Sequence, residues 1–557
     1  MLLDLDLAQF KATVSDGFMS VGNIGVAITG YCHLEDRLPE QDQCVALAGA
    51  FKEFGPDFSR SLLGQYSAII IDEPNKQVVL AQDSLGLGRV SFGITRDRLV
   101  AGTDAREVAR CLGITQIDEE FFKALIATGK RPARKTPFQG VRELSYGDTC
   151  IISGESFEQK RPWQPPRRIL RVSESDAQEM LQSKLDLAVA RAMPRTGVTM
   201  IELSGGLDSS SVAATARRHG QDIELISYLS ERGMSGNDTK YARVMAEELG
   251  LPWHKLDPDV DGIVSRPSTI LHPEPGSRLY SVQLEKIAAC VDDRNSQAIL
   301  TGAGGDIVFD YRGLVPVYLA DPLVRGGLIE TVKAHRRHAA EYGNNRAWTH
   351  RFRYTTLPFA AAFFRQRNML RNGFEKSPDW LTADCENAAK KMLRLETDAP
   401  GLALPSQTYL WDHLFDLAHE ENRTFSQMQP APVFHPLLDR ELAEFLIALP
   451  KDIRRGRSGD RSLQRNALGD RLPTEITTRK TKGSNTELRE RHMLESDAWY
   501  HAMSHAPQIV ARGWVAQKPW SHAIDRARAG APLGGPEFVA AMECELWLQD
   551  FAQLGLN

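Results

Sequence analysis

The sequence contains no CxxC pair and nothing that resembles a disulfide framework. Its seven cysteines are scattered over 557 residues, and an odd, dispersed set of this kind is typical of reduced thiols, not of a zinc site. A strong net charge is also absent, because 72 Asp and Glu nearly balance 67 Lys and Arg, for a formal charge of −5. This balance argues against a protein whose main partner is bulk nucleic acid.

Long apolar runs and targeting signals are missing as well. No stretch approaches the ~18 apolar residues of a membrane span, and even Phe359–Phe364 lies between Arg353 and Arg365. The first residues, Met1–Asp6, include two acids where a signal peptide would have basic residues. We therefore expect a cytoplasmic protein without a transmembrane segment.

A proline-rich basic segment divides the chain. Residues 160–168 contain three prolines and cannot continue a helix or an inner strand. Before it, short β-rich runs such as 67–71 and 78–81 alternate with turns, as in an antiparallel α+β domain. We predict a first domain over residues 1–160, a linker over 161–172 and a second domain over 173–557.

The second domain begins with a different periodicity. A helical pattern runs from Ser175 to Met193, with Ser175 and Gln178 placed as a capping box. Alternating strands and helices follow, which predicts a parallel, doubly wound sheet. The predicted elements are a strand at 198–203, a helix at 209–219, a strand at 223–229, a helix at 239–249 and a strand at 298–301. From about residue 314 the pattern is mostly helical.

A loop of sequence SGGLDSS, Ser204–Ser210, connects an apolar strand to a helix. Its paired glycines let the backbone approach an anion, the helix N-terminus directs N–H groups toward it, and the serines add hydroxyl donors. The carboxylate of Asp208 is better suited to Mg²⁺ that bridges to phosphate. These features together predict ATP binding. The loop matches neither GxxxxGK[ST] nor GxGxxG, so neither a Walker-type NTPase nor a dinucleotide-binding fold is indicated.

A second loop, Thr301–Asp306 of sequence TGAGGD, also follows an apolar strand. Parallel strands bring their carboxyl ends to one edge of the sheet. We therefore expect Asp306 to lie beside Asp208 and to complete a two-carboxylate Mg²⁺ site.

The SGGLDSS loop resembles the PP-loop of the ATP pyrophosphatase superfamily, whose members cleave ATP between its α- and β-phosphates. The resemblance implies adenylation of an oxygen with release of pyrophosphate, and it places adenine near Ser227. The nucleotide contacts expected on this basis are Leu203, Ser204, Gly205, Gly206, Asp208, Ser209, Ser210, Ser227, Gly302 and Lys482.

Together, the two loops resemble the synthetase domain of the asparagine synthetase superfamily. Segments 435–445 and 479–483 follow that family's motifs in order. In the first domain, segments 63–67, 83–88 and 101–104 resemble a class II glutamine amidotransferase. The implied fold class is α/β: an amidotransferase-like α+β domain, then a PP-loop ATP pyrophosphatase domain with a doubly wound parallel sheet and helical additions.

The first domain departs from that resemblance in its chemistry. Class II amidotransferases use an N-terminal cysteine as nucleophile to release ammonia from glutamine. This sequence begins Met1-Leu2, and its first cysteine is Cys32. We therefore expect an inactive, vestigial domain, so that the nitrogen comes from the substrate or from a free amine.

Two groups of relatives work without ammonia: β-lactam synthetase-like enzymes and lasso peptide cyclases. In the β-lactam group a tyrosine that helps to deprotonate the amine stands at the position of Ala303. Since alanine cannot do this, the resemblance favours a lasso peptide macrolactam synthetase, which adenylates an Asp or Glu side chain of a precursor peptide for attack by the N-terminal amine. A leader peptidase and a leader-binding protein would be its partners.

Four residues are considered for the amide-forming step. Lys482 lies in a motif that matches the family's catalytic lysine and would stabilise the tetrahedral intermediate and the leaving phosphate. Glu420 and Glu421 lie where the β-lactam group has a catalytic glutamate, and they point ~100° apart on a helix. We prefer Glu421, with Arg423 orienting it or holding a substrate carboxylate.

Several alternatives remain open at this stage. The reaction could be that of a β-lactam synthetase, of another small-molecule amide ligase or of a glutamine-independent asparagine synthetase, and a nucleotide-binding scaffold without catalysis is a rival outside enzymes. The basic intervals 333–353 and 454–482 suit, in decreasing order, solvated helix faces, a groove for a peptide or phosphates, and RNA. We expect no nucleic acid partner.

Overall fold

The computed structural model places most of the chain. It describes residues 1–15, 17–35, 38–39, 42–220, 222–231, 236–258, 271–276, 278–309, 317–342, 348–365, 377–395, 402–424, 426–456, 461–480, 497–532 and 534–554. For residues 236–237, 341–342, 348, 393–395, 419, 421–424 and 498 the description covers the backbone alone.

The first unit, residues 1–160, contains two antiparallel sheets. Its strands are β1 (Leu2–Asp6), β2 (Lys11–Val14), β3 (Phe18–Val21), β4 (Ile24–His33), β5 (Leu63–Asp72), β6 (Gln77–Gln82), β7 (Ser91–Ile94), β8 (Arg98–Gly102), β9 (Arg142–Glu143), β10 (Thr149–Ser153) and β11 (Ser156–Lys160). One sheet has the order β2-β1-β8-β7-β9, and the other has the order β11-β10-β6-β5-β4-β3.

Helices cover both outer faces of these sheets. They are α1 (Gln43–Phe54), α2 (Ala105–Leu112) and α3 (Glu119–Thr128). The two sheets enclose a core that includes Leu3, Ile69 and Phe92. Helix α1 packs on the second sheet and α2 and α3 on the first, which gives four layers and confirms the α+β prediction.

The second unit is built on a parallel sheet of the order β14-β13-β12-β15-β16. Its strands are β12 (Thr199–Glu202), β13 (Ile223–Tyr228), β14 (Trp253–Leu256), β15 (Ala298–Leu300) and β16 (Val433–Phe434). All neighbouring pairs are parallel. Side chains alternate between the two faces, so Ile201 and Met200 belong to separate cores. The predicted doubly wound sheet is confirmed.

Helices flank this sheet and extend beyond it. The helices near the sheet are α4 (Glu174–Ala192), α5 (Leu207–Arg217), α6 (Gly236–Leu249), α7 (Ser281–Asp293) and α8 (Gly305–Val308). The additions are α9 (Asp321–Tyr342), α10 (Trp348–Arg351), α11 (Leu357–Phe364), α12 (Ala383–Leu395), α13 (Pro405–Thr424), α14 (Arg440–Ala448), α15 (Lys451–Arg454), α16 (Ser462–Ala467), α17 (Thr474–Thr478), α18 (Asp497–Ser504), α19 (Gln508–Ala511), α20 (Gln517–Arg528) and α21 (Pro536–Gln553). None of the helices described combines the length and apolar character of a membrane span.

The predicted start of α4 was two residues late. Ser173, not Ser175, is the N-cap, and its hydroxyl accepts a hydrogen bond of 3.1 Å from the backbone N–H of Asp176. Both serines precede acidic residues, so the sequence pattern fits either position. The capping box of Ser175 and Gln178 is therefore wrong, although the helix itself is present.

The two units share apolar packing. The ring of Phe122 on α3 stacks on Trp514 with a centroid distance of 5.5 Å and lies 5.3 Å from Trp547 of α21. Farther along the interface, Tyr146 stacks on Phe415 of α13 at 3.8 Å. Residues of both units therefore belong to the same hydrophobic clusters.

Candidate active site

The first loop after β12 is shaped to leave a helix N-terminus open. Helix α5 begins at Leu207 with Gly206 as its N-cap, and no side chain caps its first turn. The hydroxyls of Ser204 and Ser209 lie 3.1 Å apart beside it. Uncapped N–H groups together with two hydroxyls provide the donors that an anionic phosphate requires.

Glycines allow three backbones to meet at this loop. Gly205 adopts a positive φ of 72°, and a Cβ there would lie 2.6 Å from the backbone nitrogen of Ala242 in α6. A Cβ on Gly302 would lie 2.5 Å from the backbone nitrogen of Ser209. The second loop therefore packs directly on the start of α5, as expected for strands that end at one edge of a sheet.

The carboxylates of Asp208 and Asp306 converge on the guanidinium of Arg461. The Arg461 Nη1 atom lies 2.8 Å from Asp208 Oδ2 and 3.4 Å from Asp306 Oδ1. Gln464 donates a further hydrogen bond of 3.0 Å to Asp208. Two carboxylates that reach one cation fit Mg²⁺, which takes one or two carboxylates and completes its shell with phosphate oxygens and water. Within the described residues no group of three or more such ligands occurs.

Arg479 links the first loop to α6. Its Nη1 donates a hydrogen bond of 2.9 Å to the carbonyl of Gly205, its Nη2 pairs with Asp238, and its guanidinium stacks over the ring of Tyr241 at 4.1 Å. The side chain is buried and lines the cavity described below. This fixed cation therefore lies beside the first loop, where it would offset the negative charge of a bound anion.

The second loop is held from below by a buried histidine. Thr301 Oγ1 lies 2.7 Å from His435 Nδ1, and the same hydroxyl accepts a hydrogen bond of 3.2 Å from the N–H of Ala303. Complete burial lowers the pKa of His435 to about 4. Gln65 of the first unit donates to the carbonyl of His435 at 2.9 Å and accepts from its N–H at 3.0 Å.

A cavity of 590 Å³ opens above both loops, a volume typical of small-molecule sites. Two glutamates are part of its wall. Glu202, at the end of β12, is half-buried, and desolvation raises its pKa. Glu420 of α13 is open to water in the cavity, but protein surrounds it on most sides, and this desolvation and then the charge of Asp416 raise its pKa, while Lys130 lowers it.

The structure brings most of the predicted loop residues to this cavity. Those in its lining are Ser204, Gly206, Asp208, Ser209, Gly302 and Asp306. Gly205 takes part through its backbone carbonyl, which accepts the hydrogen bond from Arg479 described above. Ser210 is fully buried away from the lining, and Leu203 is 1% exposed. The Ser227 hydroxyl joins neighbouring strands, donating to the Leu203 carbonyl at 2.5 Å and accepting from Trp253 at 2.8 Å.

The structure describes only some of the residues predicted to act in amide formation. Lys482 lies outside the described residues, and so do the side chains of Glu421 and Arg423. Of the two adjacent glutamates, the described one, Glu420, lines the cavity. The roles of Lys482, Glu421 and Arg423 therefore stay predictions.

The sequence reasoning missed three residues of the cavity lining, Glu202, Arg461 and Arg479, and also Gln464, which bonds to Asp208 from behind it. The concentration of basic residues in the interval 454–482 was a signal for the arginines, but it was interpreted first as a set of solvated helix faces. That interpretation is wrong for the buried Arg454, Arg455, Arg461 and Arg479. Arg454 donates a hydrogen bond to the carbonyl of Leu446 at 2.9 Å. Arginines of this interval therefore bond to buried backbone groups or line the cavity.

Comparison with known proteins agrees with this architecture. A glutamine amidotransferase domain model matches residues 35–163, and an asparagine synthase model matches residues 180–549. The chain is 22% identical to asparagine synthetase [glutamine-hydrolyzing] 2 of Bacillus subtilis over 78% of this chain and 57% of that protein. It is 26% identical to carboxyethyl-arginine beta-lactam-synthase of Streptomyces clavuligerus over 44% of this chain and 46% of that protein.

A third relative, Amidase chry2 of Gibberella zeae, is 23% identical over 57% of this chain and 47% of that protein. The chain thus spans about half the length of the curated relatives that it matches. The asparagine synthase model nevertheless covers more than half of the chain and includes both loops of the cavity. The chain therefore belongs to the asparagine synthase family.

Proposed function

We propose that the protein forms an amide bond with ATP, closing a macrolactam in a ribosomal precursor peptide in the manner of a lasso peptide cyclase. The observation that carries the ATP-dependent step is the convergence of the two loops: an uncapped helix N-terminus, two serine hydroxyls and two carboxylates meet at one cavity. This is a donor set for pyrophosphate beside a ligand pair for a divalent cation.

In the first step, a substrate carboxylate oxygen attacks the α-phosphorus of ATP, and the bond to pyrophosphate breaks. The N-terminal amides of α5 with Ser204 and Ser209 hold the departing pyrophosphate, and Arg479 adds positive charge beside the loop. Asp208 and Asp306 would hold Mg²⁺, which supplies charge neutralisation of the phosphates.

In the second step, the substrate amine attacks the acyl carbon, the amine proton passes to a base, and AMP departs. Our candidate for this base is Glu420. It lines the same cavity, and its raised pKa strengthens it as a proton acceptor. Glu421 remains the alternative, and Lys482 would stabilise the tetrahedral intermediate. Ala303 lines the cavity without any group that could take the proton.

The wider assignment rests on the family resemblance. A leader peptidase and a leader-binding protein would supply the free precursor peptide, and all seven cysteines are free thiols, as suits a cytoplasmic enzyme. The second candidate is a β-lactam synthetase-like or other small-molecule amide ligase, including a glutamine-independent asparagine synthetase. It is favoured by the similarity to carboxyethyl-arginine beta-lactam-synthase.

Incubation of the protein with ATP, Mg²⁺ and candidate peptides tests the proposal. We expect AMP, pyrophosphate and a peptide lighter by one water. Formation of ADP would contradict the mechanism. Cyclisation of amino acid-sized substrates with no peptide product would favour the small-molecule alternative. Asp208→Ala should reduce AMP formation by at least about 10²-fold, and full activity in this variant would contradict the metal assignment.

A further inference from the structure

A second cavity of 530 Å³ adjoins the one above the phosphate loops. The two share part of their lining, namely Gly276, Tyr280, His413, Leu417 and Glu420. Glu420 therefore stands at the junction between them. A ligand whose activated carboxylate lies at the first cavity can continue past this glutamate into the second.

The walls of the second cavity come from both units of the chain. The end of α3 and the residues after it contribute Leu125, Gly129 and Lys130, and the start of α21 contributes Pro536 and Val539. A Cβ on Gly129 would lie 2.5 Å from the Cβ of Pro536, so the two walls are in contact at the end of α3. The first unit is thus a structural part of the cavity.

The basic side chains in the described lining of this cavity are already engaged in ion pairs. Lys130 pairs with Asp416 at 2.6 Å. Arg131 pairs with Glu274 and, at 2.9 Å, with Glu143.

A further carboxylate of the wall, Glu543, accepts hydrogen bonds from the backbone. The N–H groups of Arg278 and Leu279 donate to it at 3.0 Å and 2.9 Å. The rest of the described lining consists mainly of apolar residues and glycines, with His413 and Glu420 on the α13 side. Burial lowers the pKa of His413, which disfavours the charged imidazolium.

Size and polarity select among ligands. The first cavity is large enough for a nucleotide with a small acyl group, and the second adds a similar volume that ammonia or a free amino acid would leave mostly empty. The described lining does not suit a second phosphate or another small anion, because its two basic side chains, Lys130 and Arg131, are already paired with carboxylates and an anion would lose hydration without compensation. An uncharged or apolar stretch of polypeptide fits both conditions.

We propose that the second cavity binds the segment of the peptide substrate adjacent to the activated carboxylate, and that the first unit therefore acts in substrate binding. The inference rests on the proposed function. It assigns the walls at residues 125–131 and 534–543 to peptide contact and leaves Glu420 at the junction, within reach of the attacking amine.

Photo-cross-linking of the full-length protein tests this placement. The probes are linear peptides with one internal Asp and a benzoylphenylalanine near it, mixed with the protein, ATP and Mg²⁺. We expect cross-links within residues 125–131 or 534–543. Val539→Trp fills the cavity and should abolish these cross-links and raise the KM for a turned-over peptide ~10-fold, with the KM for ATP unchanged. Val539→Ile is the matched control and should retain the cross-links.

The outcomes separate the two proposals. Cross-links confined to other regions, no cross-links at all, or cross-links that Val539→Trp leaves intact would each overturn the inference. If the wild type forms AMP and a dehydrated peptide while cross-links fall elsewhere, the proposed function stands and the inference fails. Cross-links in this cavity without AMP would support the binding site and contradict the proposed reaction.

Discussion

Arg461 takes the place between Asp208 and Asp306 where a divalent cation would lie, with Nη1 at 2.8 Å and 3.4 Å from the two carboxylates. Its backbone φ of 54° is unusual for a residue other than glycine. A guanidinium and a metal ion compete for the same oxygens. We expect Arg461→Gln to tighten Mn²⁺ binding in the absence of ATP by roughly tenfold, because a nearby positive charge is removed. Isothermal titration calorimetry measures this Mn²⁺ affinity.

Arg461→Lys is the control for this prediction. It keeps the charge but shortens the reach, so its Mn²⁺ affinity should stay close to that of the wild type. Equal affinities for Arg461→Gln and Arg461→Lys would show that the arginine does not compete with the metal.

Glu420 predicts a distinctive pH dependence. Its pKa is raised by desolvation and by Asp416 and lowered by Lys130. A base must be deprotonated, so amide formation should fall as the pH drops through this raised pKa, at a higher pH than an ordinary glutamate would give. Asp416→Asn removes a like charge and should move the acidic limb of kcat/KM to lower pH, whereas Lys130→Met should move it to higher pH.

Glu420→Gln should slow amide formation by about 10²- to 10⁴-fold while pyrophosphate formation continues. Glu202→Gln provides the comparison, because it removes another carboxylate of raised pKa from the same cavity. If the acidic limb disappears in Glu202→Gln and persists in Glu420→Gln, the base has been assigned to the wrong residue.

Individual residues were predictable from the sequence where the chemistry is local. SGGLDSS and TGAGGD each specify a strand end, a tight turn and an acid, so Asp208 and Asp306 were found together. Arg461 approaches them from more than 150 positions away, and no local pattern distinguishes a buried arginine from a solvated one. Glu202 was missed because it lies two residues before Ser204, within the strand and outside the motif.

At the scale of elements, the packing of the second loop on α5 leaves no room for a side chain. A Cβ on Gly302 would lie 2.5 Å from the nitrogen of Ser209, so Gly302→Ala must push the two loops apart. We expect a loss of about 1–3 kcal/mol of stability and a smaller rise of Tm on adding ATP and Mg²⁺. Differential scanning fluorimetry with and without nucleotide measures both effects.

Gly49→Ala is the matched control, since Gly49 lies within α1 and a Cβ there would meet nothing within 4 Å. Alanine should stabilise this helix by about 0.5–1 kcal/mol without altering the nucleotide-induced shift. If ATP and Mg²⁺ raise the Tm of both variants equally, the close approach of the two loops does not govern nucleotide binding.

Elements with strong periodicity were predicted well, and their exact ends were not. The three predicted strands and two predicted helices of the parallel sheet occur in the predicted order, but β14, α7 and β16 were not predicted, and the N-cap of α4 is Ser173 instead of Ser175. The helical additions after residue 314 were predicted only as helical. Their arrangement depends on contacts such as that of Phe415 on α13 with Tyr146, which bring together side chains that are far apart in sequence.

At the scale of the whole molecule, the first unit is coupled to the synthetase site through direct contacts. Phe122 packs on Trp514 and Trp547 across the interface. Gln65 holds both backbone groups of His435, whose side chain bonds to Thr301 at the start of the second loop. These contacts give the amidotransferase-like unit a structural role in supporting the candidate active site, and this role does not depend on glutaminase activity.

Gln65→Leu tests this coupling. Leucine preserves much of the volume but leaves the buried N–H of His435 without its partner, while the carbonyl keeps only its bond from the N–H of Leu438; the unsatisfied N–H costs about 1–3 kcal/mol. We expect reduced stability in urea and a weaker affinity for ATP, because the Thr301 hydroxyl and the second loop lose their fixed support. Gln159→Leu, on the edge strand β11, should change neither quantity by more than about 0.5 kcal/mol. If Gln65→Leu is destabilised but binds ATP as tightly as the wild type, the first unit supports the fold without positioning the nucleotide site, and the coupling through His435 is contradicted.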